Sequence, residues 1–504
     1  MSAPDHDAMP PTRWEWISLG LVLAIALAAR VVGLNASLWY DEVLTLTHFI
    51  RLPTLELLQT FTSLNNHMFY SLQAQAAVAL FGEQAWALRL PAMLFGMGSL
   101  VAVWVMGRAA VGRWPALLAA FLLAISYHHV WFSQNARGYT GLLFWTTVAT
   151  ILFVRGLRRP SYGVWTAYAV CFTAGMYTHM SAGFFFAAHG VVYAAATALS
   201  LARRDLAQSY PGLRDFRPIY GFGLSGLITL VLHLPLIAQV FTAVGRVSDS
   251  TGASAMSEWQ NPLRTAQEMV ISLADLGPLV PLAVAGGLLL LALGIWKILR
   301  REPLLGIVYV VQIPVTLLLL AALSFRIWPR YFFIDIGFLF LAVSAGVVVL
   351  ADLGGKALAR FWRSPVARHG PLAAGVTLIV AASAVLLAKN YAYPKQDFEG
   401  AVRYVQAHQG AGDVATSVGL ASEPIQGYFA PSWPVVRTEG DLDAMLRNGR
   451  TVWLVTAFRS HTAQKYPQVM ALVDRRFTEA VMLPGTMGDG NVRVYRSTPR
   501  TAAR

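Results

Sequence analysis

Long apolar runs separated by short basic loops dominate this chain. The runs lie at about 16–34, 87–107, 114–132, 139–156, 162–179, 181–201, 219–241, 278–299, 304–324, 331–352 and 371–388, each near the ~18–20 residues that cross a bilayer as a helix. That pattern predicts about eleven transmembrane helices. The stretch 68–82 is shorter, and Ser71, Gln73 and Gln75 interrupt it. It reads as a juxtamembrane helix at the outer interface. Residues 54–63 read similarly, with Leu55, Leu58 and Phe61 recurring at helical spacing while Glu56, Gln59 and Thr60 face elsewhere.

The basic residues orient the spans. Leaving 68–82 out, one side collects Arg13, Arg108/Arg113, Arg155/Arg158/Arg159, Arg203/Arg204/Arg214/Arg217, Lys297/Arg300/Arg301 and Lys356/Arg360/Arg363/Arg368. These are about 17 basic residues against about 7 in the opposite loops before the tail, which places the rich side in the cytoplasm. The expectation is a multi-pass protein of the bacterial inner (cytoplasmic) membrane, N-terminus cytoplasmic and C-terminus extracytoplasmic. Four segments then face outward: 35–86, Ser133–Arg137, about 242–277, and Ser324–Arg330. Ala26-Leu27-Ala28 imitates a signal-peptidase site, but apolar character runs past it, so a retained signal-anchor helix is expected.

Composition agrees. Of 504 residues 56% are hydrophobic and 13% charged, against about 25% charged in soluble domains. The net charge of +13 sits in loops between apolar runs, not on a basic, aromatic-interleaved surface, so nucleic-acid binding is excluded. The single cysteine, Cys171, lies inside an apolar run and reads as a packing residue.

From about residue 390 the pattern changes. Short β-like runs (Asp413–Val418, Val435–Thr438, Thr451–Phe458, Phe477–Leu483, Asn491–Arg496) alternate with helical patterns, predicting a small α/β domain. Two domains follow: 1–389, transmembrane, with a first outer loop 35–86 carrying juxtamembrane helices, and 390–504, extracytoplasmic. The tail holds no glycine-rich phosphate loop. Asp441-Leu442-Asp443 imitates a metal-binding D-x-D, but it opens an amphipathic pattern and reads as a helix N-cap.

Candidate chemistry gathers on the outer side. Asp41 and Glu42 follow the first span, where acids facing lipid are costly and belong in water or a protein cavity. One would serve as general base while the other orients the acceptor or tunes the first; the plainer alternative is a solvated loop pair. Gln134, Arg137 and Tyr139, preceded by His128-His129, sit at the depth of a lipid phosphate, which a planar guanidinium binds through two oxygens; the plainer alternative is an interfacial arginine that snorkels beside aromatic belt residues. Arg326 and Arg330, with Tyr331 beside them, put positive charge on the side that otherwise lacks it, fitting an anionic headgroup or simple interface anchoring. Asn66, His67 and His179 complete the set as hydrogen-bonding contacts for sugar or acceptor, with packing or interface roles as the alternative for the histidines. No ligand spacing supports a metal site, and none is assigned, although a divalent ion is not excluded.

Taken together these residues resemble the protein O-mannosyltransferase-like superfamily of GT-C membrane glycosyltransferases, including the bacterial branch of lipid A aminoarabinose transferases and rhizobial lipopolysaccharide galacturonosyltransferases. The motifs are Leu38-Trp39-Tyr40-Asp41-Glu42, Asn66-His67, Trp86-Ala87-Leu88-Arg89-Leu90-Pro91, Ser133-Gln134-x-Ala136-Arg137-x-Tyr139, Tyr177-Thr178-His179 and Pro329-Arg330-Tyr331. One departure is that Met68-Phe69-Tyr70 follows His67 where many relatives carry prolines. The resemblance implies a GT-C fold and inverting transfer from a polyprenyl-phosphate sugar to a hydroxyl of a glycan, glycolipid or protein. Asp41 would deprotonate or align that hydroxyl, and Arg137, Arg330 and Arg326 would offset charge on the leaving phosphate. It also implies no nucleotide and no cofactor. The rival readings are a transporter or lipid flippase, a membrane-bound assembly partner, and an inactive relative; no internal repeat supports the first.

Overall fold

Helices carry all eleven apolar runs. Among the described residues, nine are long and apolar enough to cross a membrane: Arg13–Val31, Ala85–Ala110, Tyr139–Arg158, Ala182–Ala202, Arg217–Gly245, Gly277–Arg301, Pro303–Ala322, Pro329–Ala359 and Pro365–Ala392. The protein is a multi-pass, α-helical membrane protein. The computed structural model describes residues 10–251, 262, 267, 274–361, 364–447, 449–487 and 490–498, so most of the expected outer segment 242–277 lies outside the described residues.

The run at 114–132, expected as one span, is two helices. Arg113–Ala124 and Tyr127–Ser133 meet at a 60° bend. The break is local: Ser126 leaves the helical conformation, and its hydroxyl accepts from His129 N (3.4 Å), capping a new helix. Tyr162–Thr178 has 17 residues, about 26 Å of helix. Met68–Phe81 is a separate 14-residue helix, about 21 Å, too short for a ~30 Å hydrocarbon core. The 54–63 reading needs correction. Only Thr54–Leu57 is helical after Pro53, and one turn cannot set a three-residue stripe. Leu57 is buried and Leu55 faces outward, 70% exposed.

The chain divides into two compact units: residues 1–32, 61–70 and 91–387 form one, and 33–60, 71–90 and 388–504 the other. In the first, the opening helix is fixed at both ends. Thr12 and Glu15 form a capping box, and buried Glu15 takes Arg108 Nε at 3.0 Å and Arg113 Nε at 3.7 Å. At the other end Arg30 is fully buried. It reaches Ala26 O (2.8 Å), Ala124 O (3.1 Å), Ser133 Oγ (3.1 Å) and His129 Nδ1 (2.6 Å). The helices Val280–Arg301 and Ile336–Ala359 touch backbone to backbone. A Cβ on Gly294 would overlap Ala342 O, and one on Gly346 would overlap Leu290 O. Small residues four apart are how apolar helices associate where no hydrophobic force separates helix from lipid.

The second unit contains a five-stranded sheet of order β2-β1-β3-β5-β4: β1 Val414–Val418, β2 Val435–Val436, β3 Val452–Ala457, β4 Phe477–Leu483 and β5 Val492–Ser497. Each strand falls in one of the five β-like runs. β1 pairs parallel with β2 and β3, while β5 pairs antiparallel with β3 and β4. All six residues of β3 are buried, as a central strand covered on both faces requires. Thr438, not Asp441, caps the helix Glu439–Leu446. Asp441 is its third residue and closes a capping box by accepting from Thr438 N at 2.8 Å.

Candidate active site

Each unit gathers its own set of chemically competent side chains. In the first, the loop 61–67 is anchored where Phe61 N donates to Gln239 Oε1 (2.7 Å), and it presents Asn65, Asn66 and His67. Arg137 Nη1 donates to Asn65 Oδ1, and Arg137 Nη2 lies 3.2 Å from His67 Nε2. Gly138 N donates to His67 Nδ1 at 2.7 Å. That approach depends on glycine, because a Cβ there would sit 2.8 Å from Thr178 Cγ2 and 3.0 Å from His67 Nδ1. The rings of His67 and His179 are 4.3 Å apart, and Tyr139 packs within 5.3 Å of both.

Gly138 N and Arg137 Nη2 both only donate and face the two ring nitrogens of His67, and the shorter contact, at Nδ1, assigns the tautomer. A backbone N–H only donates, so Nδ1 of His67 accepts and its ring proton sits on Nε2. His179 is held the same way, with Ser181 N at 3.2 Å and Ser181 Oγ at 2.8 Å from its Nδ1. Burial, then the positive charge of Arg137, holds His67 well below the usual imidazole range, with His179 and Arg330 adding to the effect. Burial, Arg137 and Arg330 push His179 down to about 3. Both rings are therefore neutral near pH 7, and each offers one N–H. With the guanidinium beside His67, the cluster converges donors on donors. An acceptor-rich anion is the complement of such a set.

The other sequence candidates of this unit are less concentrated. Arg330 is exposed and stands over the Trp328 ring at 5.2 Å, close enough to act electrostatically on both histidines. Tyr331 is half-buried, 6.4 Å from the Phe184 ring, and Arg326 is half-buried in the preceding loop. Asn66 is buried, with Nδ2 on Met68 Sδ at 2.8 Å. Gln134 Nε2 closes the end of the first helix through Arg30 O (2.9 Å) and Val32 O (2.5 Å). Its amide donor is spent on the fold.

In the second unit Asp41 and Glu42 occupy the first turn of a six-residue helix, Tyr40–Thr45. Their environments differ sharply. Glu42 is fully buried and forked by Arg89, with Nε to Oε1 at 2.8 Å and Nη2 to Oε2 at 2.6 Å. Arg89 also donates to Leu34 O and Ala36 O (both 2.8 Å) and to Ser37 O (3.1 Å), tying the 34–37 turn to the same anchor. Asp41 is half-buried. Lys395 is close by: burial and Arg89 push its ammonium down to about 7, and Glu42 partly offsets them.

Sequence reasoning did not assign roles to Asn65, Arg89, Arg30 or Lys395. Arg89 stood inside a quoted motif, and its position at the start of an apolar run was the available signal. Arg30 closes an apolar run, where snorkelling to the interface is the ordinary expectation. Among the described residues, no group of three or more His, Cys, Asp or Glu side chains comes together.

Comparison with known proteins shows what the chain is similar to. Residues 68–213 match the family model described as dolichyl-phosphate-mannose-protein mannosyltransferase. No curated protein sequence matches the chain. Among solved structures, ArnT from Cupriavidus metallidurans bound to undecaprenyl phosphate aligns with a TM-score of 0.54 at 12% identity, over 98% of this chain and 100% of that one. AglB, the oligosaccharyltransferase of Archaeoglobus fulgidus, in complex with an inhibitory peptide and a dolichol-phosphate, aligns with a TM-score of 0.53 at 11% identity, over 93% of this chain and 72% of that one. At these identities the structures speak for the fold, and the family model speaks for the sequence between the juxtamembrane helix and residue 213. Together they show that the chain shares its fold with these two structures and that residues 68–213 are similar in sequence to the mannosyltransferase family.

Proposed function

We propose that this protein moves a sugar from a polyprenyl-phosphate donor to a hydroxyl of an extracytoplasmic acceptor, with inversion at the anomeric carbon. The observation that carries the reading is the donor-only cluster of Arg137, His67 and His179, with Arg330 adding charge. It suits the phosphate of the lipid, and it suits the transition state better, because negative charge grows on the bridging oxygen as the glycosidic bond breaks. Tyr139, Tyr331 and Arg326 belong to the donor side of this scheme, and Asn66 contacts the sugar.

Asp41 takes the acceptor proton while the acceptor oxygen forms the new bond to the anomeric carbon. The sugar–phosphate bond breaks on the opposite face, and polyprenyl phosphate departs with the electron pair. No strong acid is needed, because that leaving group is already a stable anion. Glu42 holds Asp41 in place through Arg89 and stays out of the proton transfer. Gln134 keeps its capping role. The cytoplasmic basic loops orient the chain in the bacterial inner membrane, so the reaction draws on an activated lipid where nucleotide sugars are absent.

The test is release and transfer of labelled sugar from a panel of polyprenyl-phosphate sugars, in membranes expressing wild type, Asp41→Ala or Arg137→Ala at matched levels. One donor consumed by wild type and by neither variant supports the reading. Consumption of no donor, or Asp41→Ala turning over like wild type, overturns it.

A further inference from the structure

The helix that carries Asp41 is packed against the tail domain at a particular place. In an open sheet with parallel strands, the ligand crevice lies beyond the carboxyl ends of adjacent strands whose connections run opposite ways. Here that point is between β1 and β3, since β2 flanks β1 on its other side. Tyr40 packs there: its ring meets Phe458, the residue after β3, edge-on at 6.1 Å, and the short helix Tyr40–Thr45 contacts Ser422–Pro424, just beyond β1. Phe458 holds a left-handed backbone (φ 49°), unusual for an aromatic residue, and thereby presents its ring at the strand end.

A second link is polar. Gln396 is fully buried, and its Oε1 accepts from Tyr40 N at 3.1 Å. Tyr40 N is one of the first-turn amides that no helical carbonyl can satisfy, so the tail domain supplies what the helix lacks. Because Tyr40 N only donates, it is the oxygen of the Gln396 amide that faces it. His48 and Glu423 approach to 3.6 Å farther along, and Arg51 donates to Gly427 O at 3.5 Å.

We propose that the tail domain is part of the catalytic apparatus, with Gln396 and Phe458 as positioning residues that hold Asp41 at its working angle. The inference rests on Asp41 being the base of the proposed reaction. The carboxyl edge of the sheet thus holds a piece of its own chain where a free-standing domain would hold a ligand. The tail governs the chemical step by holding the 40–50 segment and needs no catalytic group of its own.

The experiment is steady-state transfer by the full-length protein in detergent–lipid micelles, separating kcat from the donor and acceptor KM. Gln396→Leu removes the acceptor for Tyr40 N; Gln396→Glu keeps an oxygen there. Phe458→Asn suits the left-handed backbone and removes only the ring. Gln396→Leu should lose about tenfold to a hundredfold in kcat with donor KM nearly unchanged, the effect of slight misplacement of a reacting group. Gln396→Glu should recover most of that loss, and Phe458→Asn should lower kcat without lowering thermal stability. Wild-type kcat in Gln396→Leu, an equal loss in Gln396→Glu, or wild-type kcat in Phe458→Asn overturns the proposal. An active Asp41→Asn control would instead overturn the reaction scheme itself.

Discussion

Replacing Arg89 by methionine tests how the two adjacent acids divide their roles. The guanidinium is 1% exposed and makes five hydrogen bonds: two to Glu42 and three to the carbonyls of Leu34, Ala36 and Ser37. Breaking a buried pair by removing one partner costs about 3–5 kcal/mol, because a charge is left without its counter-ion. The two halves of this pair are not equivalent. Glu42 orphaned by Arg89→Met still has Lys395 near it, and losing Arg89 removes one of the two causes that hold its ammonium down. Arg89 orphaned by Glu42→Leu has only neutral carbonyls, and Lys395 repels it. Glu42→Leu should therefore be the more costly substitution, near the top of that range, with Arg89→Met near the bottom. The double variant should cost less than the sum of the two by about 2 kcal/mol or more. Denaturant unfolding of the purified protein, followed by tryptophan fluorescence, gives all four corners of the cycle. Additive costs, or Arg89→Met costing more than Glu42→Leu, would refute the picture of Glu42 as a buried anchor beside a working Asp41.

Further expectations follow from the same geometry. Lys395 has a folded pKa of about 7 against about 10.4 in an unfolded chain, so the unfolded state holds the extra proton between those values. Stability should then rise with pH across that window, by at most about 1.4 kcal/mol per unit. Lys395→Met should flatten that slope in pH-dependent unfolding; an unchanged slope contradicts the assignment. His67 and His179 are both held below the usual imidazole range, so stability should fall as pH drops from about 6.5 toward 3, and a double glutamine variant should lose that acid sensitivity. Gly138→Ala places a methyl against Thr178 and the His67 ring, costing about 1–3 kcal/mol of stability. The same change should weaken donor binding; unchanged donor affinity would remove His67 from the phosphate cluster.

Much of the architecture was legible because apolar length and strand alternation are local signals. All eleven runs lie on helices, and the five β-like runs of the tail each hold a strand. The failures come from interactions that are not local. Ser126 cuts the 114–132 run because it caps a new turn, and a serine within an apolar stretch does not announce that. Leu55, Leu58 and Phe61 satisfy helical spacing, yet the helix lasts one turn after Pro53. Asp41 and Glu42 were indistinguishable as neighbours, since only the partner 47 residues away, Arg89, decides which of them is buried. The donor cluster was half visible: its arginine and histidines stood out by type and side. Asn65 and Gly138 emerged only with the hydrogen bonds that set the tautomers.

The central claim is that phosphate recognition and proton removal belong to different residues. The most direct measurement uses the polyprenyl-phosphate sugar that wild type consumes, comparing equilibrium donor binding with single-turnover transfer in Asp41→Asn and Arg137→Gln. The account predicts that Asp41→Asn binds the donor like wild type but transfers at least about a hundredfold more slowly, while Arg137→Gln loses donor affinity as well. Donor binding that survives in Arg137→Gln together with transfer that survives in Asp41→Asn would contradict it.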